Sequence, residues 1–169
     1  MRRSRQQGYT LIELLLYIAI LGILLPSVVA FMGLAVDVRV KNQSIAEVDS
    51  QGMAAMDYIT QTIRNASSIS APSAAASGSS LTLIVPTGTL SPTVFSLNGT
   101  ALQVKEGSAA AIALTSSDIT ISNLTFTNLS RSGTNGIVQI SFTVSRTNPG
   151  GRNEYDYSKT FITSAEVGW

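Results

Sequence analysis

Histidine and cysteine are both absent from this 169-residue sequence. Their absence removes the Ser-His and Cys-His nucleophilic pairings, thiolate chemistry, disulfides and the usual transition-metal ligands. No paired carboxylates, no glycine-rich phosphate loop and no nucleophile beside a base stand in their place. The residues therefore argue against an enzyme, and they call for no cofactor and no metal. Glu154 and Asp156, in a Gly-rich stretch, come nearest to a calcium loop, and two such acids are ordinarily just solvated. One carboxylate is out of place. Glu13 sits at the head of a long apolar run, where an isolated acid costs roughly 2.5–3.5 kcal/mol on insertion scales. Either it snorkels or is protonated at the interface, or it waits for a cation.

The surrounding elements explain that position. Arg2, Arg3 and Arg5 fall in the first eight residues with no acid among them. From Leu14 to Val36 there follow 23 residues without a charge, about 35 Å of helix against a hydrocarbon core of ~30 Å. The arginines hold the N-terminus on the cytoplasmic side, and everything after Val36 lies outside. No small-x-small cleavage site follows the run, so it does not read as an ordinary secretory signal. Elsewhere the chain is polar through Ser and Thr. Charged residues are only 12%, about half the usual share, and the net charge of +1 points to no acidic partner.

Gly8-Tyr9-Thr10-Leu11-Ile12-Glu13, after the basic leader and before the apolar helix, closely resembles the type III signal of prepilins. That superfamily comprises the type IV pilins and the pseudopilins of type II secretion and DNA-uptake systems. The resemblance implies cleavage after Gly8 by a prepilin peptidase, which then N-methylates the new first residue, Tyr9. Removal of residues 1–8 takes the formal side-chain charge from +1 to −2 and leaves the helix attached. A residue without a side chain at position 8 suits a peptidase that must bring backbone close to its carboxylates. The resemblance further implies that Glu13 pairs with the methylated amine of a neighbouring subunit as each subunit joins a fibre. A subunit lacking that pairing is penalised in a lipid-like core, so the pair can set axial register. Pro26 removes one helix hydrogen bond and reads as a kink, either in a plain anchor or at a point of local melting on packing.

Beyond the apolar run, Val38, Ile45, Val48, Gly52, Met56, Ile59, Ile63 and Ala66 recur at intervals of 7, 3, 4, 4, 3, 4 and 3. This is an amphipathic stripe. One helix is expected from about Thr10 to Ser68, with its second half laid on a globular head. Pro72 is expected to end it. The implied divisions are a cleaved leader (1–8), a membrane or fibre-core helix (9–36), an amphipathic half-helix (37–70), a small-residue linker (71–80) and a β-rich head (81–169). Period-two strands are expected at Leu81–Val85, Thr93–Leu97, Ala101–Lys105, Ile119–Thr127, Ile137–Arg146 and Tyr155–Thr163. Turns are expected at Asn98-Gly99 and through Ser132–Gly136. Tyr155 and Tyr157 would share one face of the last strand, with Trp169 packed on the head or frayed. The fold class is α+β, a long helix packed on an antiparallel sheet, which the resemblance also implies.

Asp57-Tyr58-Ile59, Thr62-Ile63-Arg64-Asn65-Ala66, Asn123-Leu124-Thr125-Phe126 and Thr160-Phe161-Ile162-Thr163 resemble the J-type minor pseudopilins and related minor pilins. That implies a subunit which primes or caps a fibre. Its partners would be the peptidase, other pilins or pseudopilins, the inner-membrane assembly platform and, before assembly, lipid. The alternatives are a fibre-tip binding module acting through loops near 86–93, 128–136 and 147–154, or an uncleaved anchored β-domain. Lys105, Arg131, Arg146, Arg152 and Lys159 are too dispersed for a nucleic-acid stripe. Five N-x-S/T sequons, beginning at Asn42, Asn65, Asn98, Asn123 and Asn128, arise by chance in so Ser/Thr-rich a chain.

Overall fold

The computed structural model describes residues 9–131 and 136–168. The expected leader (1–8), the expected turn through Ser132–Gly136 apart from Gly136 itself, and Trp169 lie outside the described residues. The chain divides into two compact units, Met1–Val40 and Lys41–Trp169.

Helix α1 runs unbroken over Leu11–Arg64. Thr10 begins it: its Oγ1 accepts the Glu13 amide at 3.3 Å, and its carbonyl accepts the Leu14 amide at 3.2 Å. One otherwise orphaned N–H is thereby satisfied, as at any good N-cap. Within the first unit the helix carries no charge from Leu14 to Val36, and its large apolar side chains there are exposed on all sides.

In the second unit, α1 buries Ser44, Val48, Gly52, Ala55, Met56, Ile59 and Ile63. These follow the expected stripe, except that Val38 is exposed, Ile45 is half-buried, Ser44 takes the inner place and Ala55 joins it. The helix stops at Arg64, short of the expected Ser68 and of the 37–70 division. Its last turn tightens through Ala66 N–H to Ile63 O at 3.1 Å. The Ser67 amide then donates to Ile84 O at 2.7 Å, and Ser68–Ala71 forms strand β1. Three serines within 67–70 are weak helix formers, and a sheet edge was available to their backbone. Pro72 therefore follows a strand and does not terminate the helix.

The remaining strands are β2 (Ser77–Gly78), β3 (Leu81–Ile84), β4 (Thr93–Asn98), β5 (Ala101–Glu106), β6 (Ile112–Ala113), β7 (Ile119–Asn128), β8 (Ile137–Arg146) and β9 (Ser158–Glu166). They make two antiparallel sheets, ordered β1-β3-β4-β5-β6 and β2-β7-β8-β9, where one sheet was expected. The 71–80 stretch is no free linker, because β2 pairs with β7. Its approach is fixed by Asn128, which is buried. Asn128 donates from Nδ2 to Pro72 O at 2.8 Å, and its backbone exchanges bonds with Ala75 and Ala76 at 2.9 Å. The β4–β5 loop is Gly99-Thr100, one residue later than expected, since Asn98 pairs with Ala101. Gly99 supplies the positive φ of 61° that this turn requires.

Strand β7 carries a bulge between Ser122 and Thr125, with Asn123 at φ 54°. Ile119 and Ile121 point inward before it, and Leu124, Phe126 and Asn128 after it. Strand β9 begins three residues later than expected, and Tyr155 and Tyr157 precede it. Their backbone is engaged elsewhere. Lys41 Nζ donates to Asn153 O at 3.1 Å and Asp156 O at 3.4 Å, while Arg146 and Arg152 lie 5.1 and 5.6 Å from the Tyr155 ring centre.

One core joins the second half of α1 to both sheets. Ile59 and Ile63 share it with Leu83, Phe95 and Leu102 of the first sheet and Phe126, Ile140 and Phe142 of the second, all fully buried. Gly52 admits the Phe161 ring where a Cβ would overlap it. Glu47–Arg146 at 2.5 Å and Asp49–Lys159 at 3.0 Å flank this contact, the second without hydrogen-bond geometry. Such half-exposed pairs contribute at most about 1 kcal/mol each, so apolar packing holds α1 in place.

Gly107 is a second obligatory glycine. It has φ 53°, and a Cβ there would overlap the carbonyl of Thr89. Gly107→Ala is expected to destabilise the chain by about 1–3 kcal/mol through left-handed strain. A lowered denaturation midpoint of the full chain in detergent would show it; an unchanged midpoint would refute the close approach.

Candidate functional site

The chemistry-bearing segment is the start of α1. Gly8 lies outside the described residues. Tyr9 is 78% exposed, and neither it nor Thr10 is helical. The peptide bond expected to be cut thus precedes the helix by two residues. Glu13 is half-buried in the first turn, where the partial positive charge of the helix N-terminus favours a carboxylate. No cation among the described residues pairs with it. Every large apolar side chain from Leu14 to Val38 is exposed, and a surface of that extent demands cover by lipid or by other chains. The helix is long and apolar enough to cross a membrane.

Pro26 sits inside α1 without interrupting it. Its ring falls over the carbonyl of residue i−4, and here that residue is Gly22. Ser27 Oγ donates to Leu24 O at 2.8 Å, a local side-chain bond to the backbone one turn back.

Residues 3–25 match the family of the prokaryotic N-terminal methylation motif. This is a prepilin-type N-terminus. It supports a place in the type IV pilin and pseudopilin superfamily, and the α+β architecture is pilin-like. No curated protein and no solved structure matches the chain. For a pilin-like chain the motif implies processing by a prepilin peptidase and assembly with other pilins. It points to a structural subunit, and with the apolar helix it is consistent with a pilin that is membrane-anchored and later extracytoplasmic.

Elsewhere in the pilin-like chain the structure regroups the candidate residues. Glu154 accepts from Arg152 Nε at 3.1 Å and Nη2 at 2.5 Å, and Asp156 contributes its main-chain carbonyl to Lys41. Arg146 and Arg152 converge on one ring, but Glu47 and Glu154 already engage them.

Sequence reasoning missed a pair on α1 and β5. Tyr58 donates its hydroxyl to Glu106 Oε1 at 3.0 Å. Partial burial first, then this bond and the carboxylate's charge, push the phenol above its ordinary 10.0. A separation of 48 positions left no signal in the sequence. The folded state holds the phenol proton more tightly than the unfolded chain. The stability so gained is complete below pH 10 and is lost as pH rises through the folded value. Tyr58→Phe is therefore expected to cost about 0.5–1.5 kcal/mol at neutral pH and to flatten the alkaline decline. Denaturant titrations from pH 8 to 11.5 would read both, and an undiminished alkaline decline in the variant would contradict this assignment.

Proposed function

We propose that the chain is a minor pilin or pseudopilin, a subunit that primes or caps a fibre built from the inner membrane. The observation that carries this reading is the join of a methylation motif over residues 3–25 to a helix whose apolar side chains are exposed on every side. A peptidase cuts after Gly8 on the cytoplasmic face and methylates Tyr9. The segment 9–36 waits in lipid and then packs among other subunits' helices, while the β-rich head lies outside. Glu13, in the first turn and with no cation paired to it among the described residues, is the group that meets the methylated amine of a neighbouring subunit. Pro26 over Gly22 is the point at which the helix bends or loosens on packing. The minor role draws support from the residue patterns at Asp57-Tyr58-Ile59, Asn123–Phe126 and Thr160–Thr163.

Quantitative mass spectrometry of sheared fibres tests it. A minor subunit is expected far below the most abundant pilin, and its deletion should reduce fibre number. A chain forming the bulk of the fibre would make it a major subunit. An unprocessed chain found only in membranes would leave an anchored β-domain.

A further inference from the structure

A cavity of about 220 Å³ lies between the last turns of α1, the loop after β3 and the end of β5. It is smaller than the ~300–1,000 Å³ typical of drug-sized ligands, and so suits one side chain or a small amine. Among the described residues, Glu106 is the only charged side chain lining it, and no cation among them pairs with that carboxylate.

The hydrogen-bonding capacity left inside the cavity is lopsided. Thr62 Oγ1 has already given its proton to Tyr58 O at 2.8 Å, and Thr93 Oγ1 has given its own to Leu90 O at 2.9 Å. Both hydroxyls can therefore only accept. The Glu106 carboxylate also only accepts, and Pro86 has no amide proton. Of the side chains that line it, only those of Asn65 and Thr87 keep a proton to donate. An anion is disfavoured by the unpaired carboxylate. A neutral polyol would find too few donors for its oxygens. An ammonium, with three donors and no acceptor, matches what remains.

Two further details narrow the ligand. Glu106 Oε1 already accepts from the Tyr58 hydroxyl, which leaves a planar guanidinium fewer open lone pairs for the two-oxygen pairing that favours arginine. A single ammonium needs only one. Val85 and Leu90 line the remaining wall and suit the apolar stem that carries such a head group. The wall is built before any ligand arrives. Leu90 N–H bonds Thr87 O at 3.0 Å, and Gly107 N–H bonds Pro92 O at 3.0 Å, so little loop ordering is needed on binding.

We propose that this cavity binds an alkylammonium group, supplied by a lysine side chain of a second polypeptide or by a free amine. The inference is independent of any role at a fibre tip. Calorimetry on the full chain in detergent, with n-butylammonium and Nα-acetyl-lysine amide as probes, tests it. Saturable binding of both is expected, with at least a tenfold loss in Glu106→Gln, which keeps an acceptor for Tyr58. Leu90→Trp, which fills the cavity without altering charge, should lose binding too, and Nε-acetylated probe should not bind. No binding to the unaltered chain, or equal binding to Glu106→Gln, would overturn the proposal. Carbodiimide treatment of native membranes separates the sources by joining the Glu106 carboxyl to an amine as an amide, with loss of water. A peptide linked to a lysine of another chain identifies a polypeptide, and a small-amine adduct identifies a free amine. Modification of exposed Asp57 with none at Glu106 would count against both.

Discussion

Chain purified from its host's membranes is expected to begin at Tyr9, with one methyl on the new amine. α1 starts only at Leu11, so Tyr9 and Thr10, on the described side of the expected cut, can enter a peptidase without unwinding a turn. Thr10 holds the helix start beyond the cut through the Glu13 amide, and the new terminus therefore stands about one turn from the Glu13 carboxylate. Gly8→Val should block this approach and reduce processing at least tenfold, leaving the leader and its three arginines attached. The readout is the mass of the N-terminal peptide from both chains. Efficient processing of Gly8→Val would show that the scissile backbone needs no close approach. An unaltered chain that still begins at Met1, in cells possessing the peptidase, would sink the prepilin mechanism. Glu13→Leu should be processed normally and yet fail to enter fibres. That separates the recognition of the signal from the later use of its carboxylate.

Phe142→Ala should be the most damaging substitution in the second unit, at about 3–5 kcal/mol. Phe142 is fully buried. Its ring stacks on Phe161 at 5.8 Å between centroids, and Phe161 in turn occupies the space left by the missing side chain of Gly52 on α1. Truncating Phe142 therefore leaves a cavity and loosens the ring that seats the helix. Domain stabilities of ~5–15 kcal/mol would be cut by a large fraction. Ile162, on the outer face of β9 and 66% exposed, is the control. Its alanine variant should stay within about 0.5 kcal/mol. Denaturation midpoints of the full chains in detergent give both values. A loss below 1 kcal/mol for Phe142→Ala would mean that the two sheets and α1 do not share this core.

How much of this could be read in the sequence depended on how local each signal was. The Gly8–Glu13 signal and the apolar run are contiguous, and they were readable in full. Strands β4, β5, β7 and β8 alternate strongly enough to be placed almost to the residue. Strand β1 could not be seen. Ser-Ile-Ser-Ala alternates too briefly, and its reason for being a strand is the register with Leu83 and Ile84. Tyr155 and Tyr157 mimic a strand's spacing, but two arginines lie over the Tyr155 ring and Lys41 holds the neighbouring carbonyls of Asn153 and Asp156. The alkylammonium cavity is still less local. Asn65, Leu90 and Glu106 meet only after the helix and the first sheet have packed, and the decisive fact is which hydroxyl protons are already engaged.

The bulge in β7 bears on which changes of length this head can survive. Deleting a residue within a strand ordinarily turns every later side chain to the wrong face. At Asn123 the opposite holds. The residue is the surplus one, and pairing with β8 shifts by one across it: Ser122 faces Thr143, while Thr125 faces Ser141. Without Asn123 the inward positions of β7 would alternate without interruption, and the ladder to β8 would close in a single register. The head can therefore drop a codon in mid-strand, keep Leu124, Phe126 and Asn128 inside, and lose only the bend.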